Sequence, residues 1–140
     1  MTATAFQNQT TTGGQRDGEE LLRIAHRRAV QATPAEMAAY LQRLLGQQLK
    51  AYMTGIANPK AIGKWARGER SPRPPAVAKL REAFQVAVLI AEFDDEETAR
   101  AWFMGMNPAL DHRAPAWVIA NQPDGGDRAM DAALAYLSYG

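Results

Sequence analysis

Apolar positions recur along most of the chain at helical spacing, and no segment alternates with the period of two that a half-buried strand shows. The clearest start is Thr33-Pro34-Ala35-Glu36. There a threonine can accept from the third amide, a glutamate can reach back, and proline stands first in the helix. Met37, Tyr40, Leu41, Leu44 and Leu45 then share one face, and Gly46 predicts a stop. A second helix is expected from about Gln47 to Thr54, with Leu49, Tyr52 and Met53 inward and Gly55 in the turn after it. Asn58-Pro59 reads as the cap and first residue of a third helix, Pro59 to Arg67, closed by Gly68. That helix buries Ile62 and Trp65 and exposes Lys60, Gly63, Lys64 and Arg67. Ser71-Pro72-Arg73-Pro74-Pro75 predicts a stiff, extended break. Ala76 to Phe93 is the longest expected helix. It is amphipathic through Val77, Leu80 and Phe84, then apolar nearly all round from Val86, so it must be covered on all sides.

Asp94-Asp95-Glu96-Glu97 opens the next helix. Four consecutive carboxylates on a helix point in different directions, which suits the positive end of the helix dipole and not a metal site. The helix carries Trp102 and Phe103 and ends near Asn107-Pro108. Pro115 starts a short helix with Trp117, Val118 and Ile119, and Pro123-Asp124-Gly125-Gly126 is a turn. Asp127 is expected to cap a last helix with Met130, Ala133, Leu134 and Leu137 in one stripe. At the other end, residues 1–18 are rich in Thr, Gln and Gly and read as a disordered arm. Glu19 to Gln31 reads as a solvated helix with Leu21, Leu22, Ile24 and Ala25 on its apolar side and Arg23, Arg27 and Arg28 making its far end basic. The expected fold is all-α: an arm (1–32), a helix-turn-helix unit (33–82) and a small C-terminal helical subdomain (83–140), joined by the long helix.

Composition narrows the chemistry. The absence of cysteine removes disulfides, thiolate metal sites and a cysteine nucleophile, and fits a cytoplasmic protein. The longest apolar run, Val86 to Ala91, is far short of the roughly 20 residues of a membrane helix. The Thr/Gln/Gly-rich start has no apolar core of a secretory signal. His26 and His112 are the only histidines, and a capping or packing role is expected for His112. No nucleophile elbow, phosphate loop or dinucleotide fingerprint is present, so neither an enzyme nor a cofactor is expected.

Charge adds one strong feature. The formal net charge is only +1, yet between residues 58 and 81 stand Lys60, Lys64, Arg67, Arg70, Arg73, Lys79 and Arg81 against Glu69 alone. In a helix-turn-helix the second helix enters the major groove and its first residues meet bases and phosphates. Here that end carries Asn58, Lys60, Ala61 and Lys64, with Arg67, Arg70 and Arg73 beside it, the electrostatic footprint of DNA binding. The alternative is a solvated basic face on a packing motif. Asn58 reads first as a helix cap and second as an amide able to pair with adenine.

Two blocks resemble a known family. The run Met53-Thr54-Gly55-Ile56-Ala57-Asn58-Pro59-Lys60-Ala61-Ile62-Gly63-Lys64-Trp65 resembles the helix-turn-helix of Xre/MbcA/ParS-type antitoxins. Trp102-Phe103, then Asn107-Pro108-Ala109-Leu110, then His112-Arg113-Ala114-Pro115 resembles their toxin-binding subdomain. The resemblance covers about residues 34–140. It implies a type II toxin–antitoxin system whose toxin is a RES-domain, NAD-consuming protein. The antitoxin would place its C-terminal segment near the toxin's active site, form a homodimer or a hetero-oligomer with the toxin, and repress its own operon. Trp102, Arg113 and Trp117 are then candidate toxin contacts.

The residues at the C-terminus add Tyr136, Leu137, Ser138, Tyr139 and the Gly140 carboxylate, since aromatic residues beside a mobile end suit an interface. The alternative is that Tyr136 and Leu137 complete the core. Two competing readings of the whole chain are a stand-alone helix-turn-helix transcriptional repressor and a scaffold protein without either activity.

Overall fold

Of the local signals, the capping box at residue 33 is realised in full. Thr33 Oγ1 accepts from the Glu36 amide at 3.1 Å, and the Thr33 amide donates to Glu36 Oε1 at 2.8 Å. This start opens α2 (Pro34–Leu45) in a computed structural model that describes residues 13–139, with side chains over residues 18–138. The other helices are α1 (Gly13–Gln31), α3 (Gln47–Thr54), α4 (Pro59–Ala66), α5 (Pro74–Phe93), α6 (Glu96–Met104), α7 (Pro115–Asn121) and α8 (Gly125–Tyr139). A single 3-10 turn spans Pro108–Leu110. No strand is found among the described residues, and the all-α expectation is met. None of these helices is long and apolar enough to cross a membrane.

The long helix α5 is the spine. Leu80, Ala83, Phe84 and the run Val86 to Ile90 are buried, and α1, α2 and α8 pack around it. Each fully buried Leu, Ile or Val contributes on the order of 1.5–3 kcal/mol by leaving water. One apolar cluster runs from Ala25 of α1 to Leu137 of α8. Pro74 and Pro75 do not extend the break before α5 but begin the helix, where a missing N–H costs nothing.

Three further expectations are corrected. The helix foreseen as a solvated arm from Glu19 begins at Gly13 and is part of the core. Ala25 and Ala29 are fully buried, and their small side chains let α1 approach α5 closely. Arg28 lies over the rings of Tyr40 and Phe84, at 5.2 and 5.8 Å, and Arg81 of α5 donates to the Ala29 carbonyl. In α3, Tyr52 is not inward: it is half exposed, and Lys50 takes the buried position. Finally, Asp127 is not the cap of α8. The helix starts two residues earlier, at Gly125, and Asp127 lies in its first turn. The remaining expected arm, residues 1–12, lies outside the described residues.

Candidate functional site

Two surfaces gather the residues that the sequence singles out. The first is built on α4. Asn58 caps this helix, its Oδ1 accepting from the Lys60 amide at 2.9 Å, so its side-chain oxygen already has the structural role. Half-buried Ile62 and Trp65 pack α4 against the core cluster, and α2 is its neighbour. No residue of α4 is fully buried. Lys60, Lys64 and Arg67 are exposed and Ala61 is half-buried. The connection from α3 to α4 runs over residues 55–58, with Gly55 left-handed at φ 77°.

After α4 the chain reverses at Gly68, also left-handed at φ 74°. The Gly68 amide donates to the Trp65 carbonyl at 3.1 Å and the Glu69 amide to the Lys64 carbonyl at 2.8 Å. Arg67 pairs with Glu69 at 2.7 Å, which neutralises the lone acid of the stretch. Lys60, Lys64, Arg70 and Arg73 have no carboxylate within 4.0 Å among the described residues. The two other cations of the stretch serve the fold: Lys79 donates to the Ala120 carbonyl at 2.8 Å, and Arg81 holds α1.

The second surface is formed by α6, the loop after it and α8. Trp102 and Tyr136 line one apolar groove of about 500 Å³ with Met106, Pro108, Ala132 and Ala135. Trp102 stacks edge-on against buried Phe103 at 5.2 Å, and its Nε1 is buried without a hydrogen-bond partner. Tyr136 donates to Asp94 Oδ2 at 2.6 Å and meets Phe93 edge-on at 5.9 Å. The bond to the Asp94 carboxylate, aided by burial, pushes the Tyr136 hydroxyl up to about 12.

Arg113 lies over the Trp117 ring at 3.9 Å, and Trp102 and Trp117 pack on the small cluster of Leu110, Val118 and Ala132. The connecting loop is pinned at its base. The Asn107 carbonyl accepts from the amides of Leu110 and His112, and its amide donates to the Arg113 carbonyl at 3.2 Å. The pinned loop holds two successive non-glycine residues left-handed, Asp111 at φ 57° and His112 at φ 64°, a conformation that costs free energy and clusters at functional sites. His112 is exposed at this tip. It neither packs nor caps α7, whose cap position is Ala114 with no side-chain bond.

The structure thus brings Trp102, Trp117 and Tyr136 to one end of the molecule. Leu137 is only 4% exposed and belongs to the core, not to the surface. Ser138 is exposed and its hydroxyl bonds back to the Leu134 carbonyl at 3.1 Å. The Tyr139 side chain and Gly140 lie outside the described residues.

The sequence reading missed Met106, which lines this groove and is 81% exposed, and the nearby exposed Met104, at 57%. Both follow the Trp-Phe pair in the sequence Trp102-Phe103-Met104-Gly105-Met106. A methionine on either side of a helix-ending glycine was the available signal.

Over 63 residues the chain is 30% identical to the "Mycobacterial cidal antitoxin MbcA" of Mycobacterium bovis and, equally, to that of Mycobacterium tuberculosis. The aligned region is 45% of this chain and 56% of each relative, so the chain spans little more than half the length of the curated relatives it matches. No family model matches the chain, and no solved structure does. Over that aligned region this all-helical chain is similar to MbcA-type antitoxins.

Proposed function

We propose that this chain is an antitoxin that binds and neutralises a cognate RES-domain, NAD-consuming toxin and represses its own operon through α4. The observation that carries the reading is the partial similarity to the mycobacterial antitoxin MbcA. The groove supports it. Trp102, Met106 and Tyr136 present apolar and aromatic surface along one groove. Exposed apolar patches of this kind mark protein interaction sites, and methionine side chains adapt to a partner's shape. The Arg113–Trp117 pair offers a second anchor of the residue types that dominate interface energetics. The RES identity of the toxin comes from the family resemblance. The chain acts as a non-enzymatic regulator, and any turnover of NAD belongs to the partner.

For DNA, the support is the set of exposed, carboxylate-free cations Lys60, Lys64, Arg70 and Arg73 on and beside α4. Their solvated amines and guanidiniums suit phosphate contacts. A second reading, a repressor without a toxin, rests on the same face alone and leaves the groove unexplained.

The deciding experiment expresses the adjacent gene with and without this protein and then purifies the pair. Toxicity relieved in a stable complex is the expected result. A harmless or non-binding neighbour overturns the antitoxin reading. Within that reading, removing residues 138–140 tests the tail as a plug for the toxin's active site. The truncation spares the buried Leu137 and should release toxin activity, whereas full neutralisation by the shortened chain removes the plug and leaves the groove as the contact.

A further inference from the structure

Beside the first turn of α4 lies a groove of about 320 Å³ with a mostly apolar floor and two arginines on one side. Asn58 and Ala61 stand on the helix side. Arg70 and Arg73 stand on the side of the segment that follows the helix. Ile56 and Trp65 add apolar lining. This segment is exposed except at half-buried Pro72, yet its course is fixed. Left-handed Gly68 turns it, the Glu69 amide ties it to the Lys64 carbonyl, and Pro72 and Pro74 restrict φ on either side of Arg73. A basic segment that is both stiff and exposed loses little conformational freedom when it meets a ligand.

Neither Arg70 nor Arg73 has a carboxylate partner among the described residues, while Glu69, the nearest acid in sequence, is occupied by Arg67. The groove is therefore left with a net positive rim. Arginine guanidinium presents a planar fork of donors that matches phosphate oxygens.

We infer that this groove seats a backbone phosphate of duplex DNA, clamped by Arg70 and Arg73. This deepens the DNA-binding reading above and rests on it. The clamp grips the strand independently of sequence and so sets how far α4, with Lys60 and Lys64, advances into the major groove. Backbone contacts of this type fix register, and base contacts supply discrimination. The division of labour makes Arg70 and Arg73 determinants of affinity, not of sequence preference.

The test uses the full chain and two duplexes of equal length: one from the region upstream of its own coding sequence, one unrelated. Binding is followed by fluorescence anisotropy over a series of salt concentrations. Arg70→Ala and Arg73→Ala are each expected to flatten the slope of log K against log salt by about one phosphate's worth, and to weaken both duplexes by the same factor. Both side chains are exposed, so the variants keep the wild-type melting temperature. Ala76→Leu fills the groove without removing a charge and should weaken both duplexes too.

Unchanged slopes and affinities in the arginine variants overturn the clamp while leaving DNA binding by α4 intact. A loss confined to the upstream duplex also overturns it, because the arginines would then be reading bases. If the wild-type chain binds neither duplex at low salt, the DNA reading fails and the clamp with it. Saturable binding of inorganic phosphate in that situation assigns the groove to a free anion.

Discussion

Lys50 has no exposed surface, and its ammonium finds only Gln42 Oε1, at 3.5 Å, the outer limit of a hydrogen bond. Burial pushes its pKa below the usual lysine value. The folded chain thus holds this proton less firmly than the unfolded chain does. The cost is fully present below the folded pKa and fades as pH rises toward the ordinary lysine range. Lys50→Met keeps the length of the stem and removes the charge, so it is expected to raise the melting temperature at neutral pH and flatten the alkaline rise in stability. A lower melting temperature would show that the ammonium is better satisfied than its single contact implies.

Glu82 is the acidic counterpart. Burial raises its pKa first and Asp127 adds to the shift, while Lys79 opposes them. Here the folded state holds the proton more firmly than the unfolded state. Its contribution is present below the unfolded carboxyl pKa and is lost as pH rises through the folded one. Glu82→Gln should therefore stabilise the protein at neutral pH but not in acid, as read from denaturation midpoints at the two pH values. Neither the burial of Lys50 nor the half-burial of Glu82 was legible from the sequence. Lys50 sits beside Leu49 and ahead of Tyr52, and hydropathy favours the aromatic ring as the inward residue. The ring instead stays at the surface, where its hydroxyl accepts from Asn121 at 3.3 Å.

Elements were read well where a cap and an apolar stripe coincide, as in α2 and α4, and poorly where packing is made by small residues. The stripe of α1 that meets α5 is Ala25 and Ala29, and alanine gives a weak apolar signal. The start of α8 shows the same effect. A Cβ on Gly125 would lie 2.1 Å from the Val118 carbonyl oxygen, because α7 and α8 cross here backbone to backbone. Gly125→Ala should cost about 1–3 kcal/mol, the usual range for overpacking, measured by denaturant unfolding. At Gly126 the added carbon meets only the Glu82 side chain, which can swing away, so Gly126→Ala should cost less. Equal costs would mean that the α7–α8 crossing is free to open.

Over the whole molecule, the two proposed surfaces use different physics. The α4 face is polar, exposed and weakly tied to the core, which suits the proposed entry of this helix into a DNA groove. In the other set, Trp102 and Tyr136 pack against the core and line an open groove with exposed Met106. Met106→Glu introduces charge at a position 81% exposed. It should leave stability within about 0.5 kcal/mol of wild type. It should weaken binding to the proposed toxin partner by at least about tenfold, roughly 1.4 kcal/mol, in a titration of the purified proteins. Undiminished binding would move the toxin contact away from the groove.

The sequence by itself determined the helical class, most helix starts, the concentration of charge beside Asn58 and the partial similarity to MbcA-type antitoxins. Caps, prolines, glycines and apolar periodicity are local, and each acts within a few residues of where it is written. Only the tertiary structure decided that α1 is core, that Lys79 and Arg81 are spent on backbone carbonyls, and that Leu137 is hidden. It also decided that Trp102 and Tyr136 face one groove with Met106. These outcomes depend on which helices approach one another and how closely. That is set by the joint packing of side chains far apart in the chain, which no local pattern encodes.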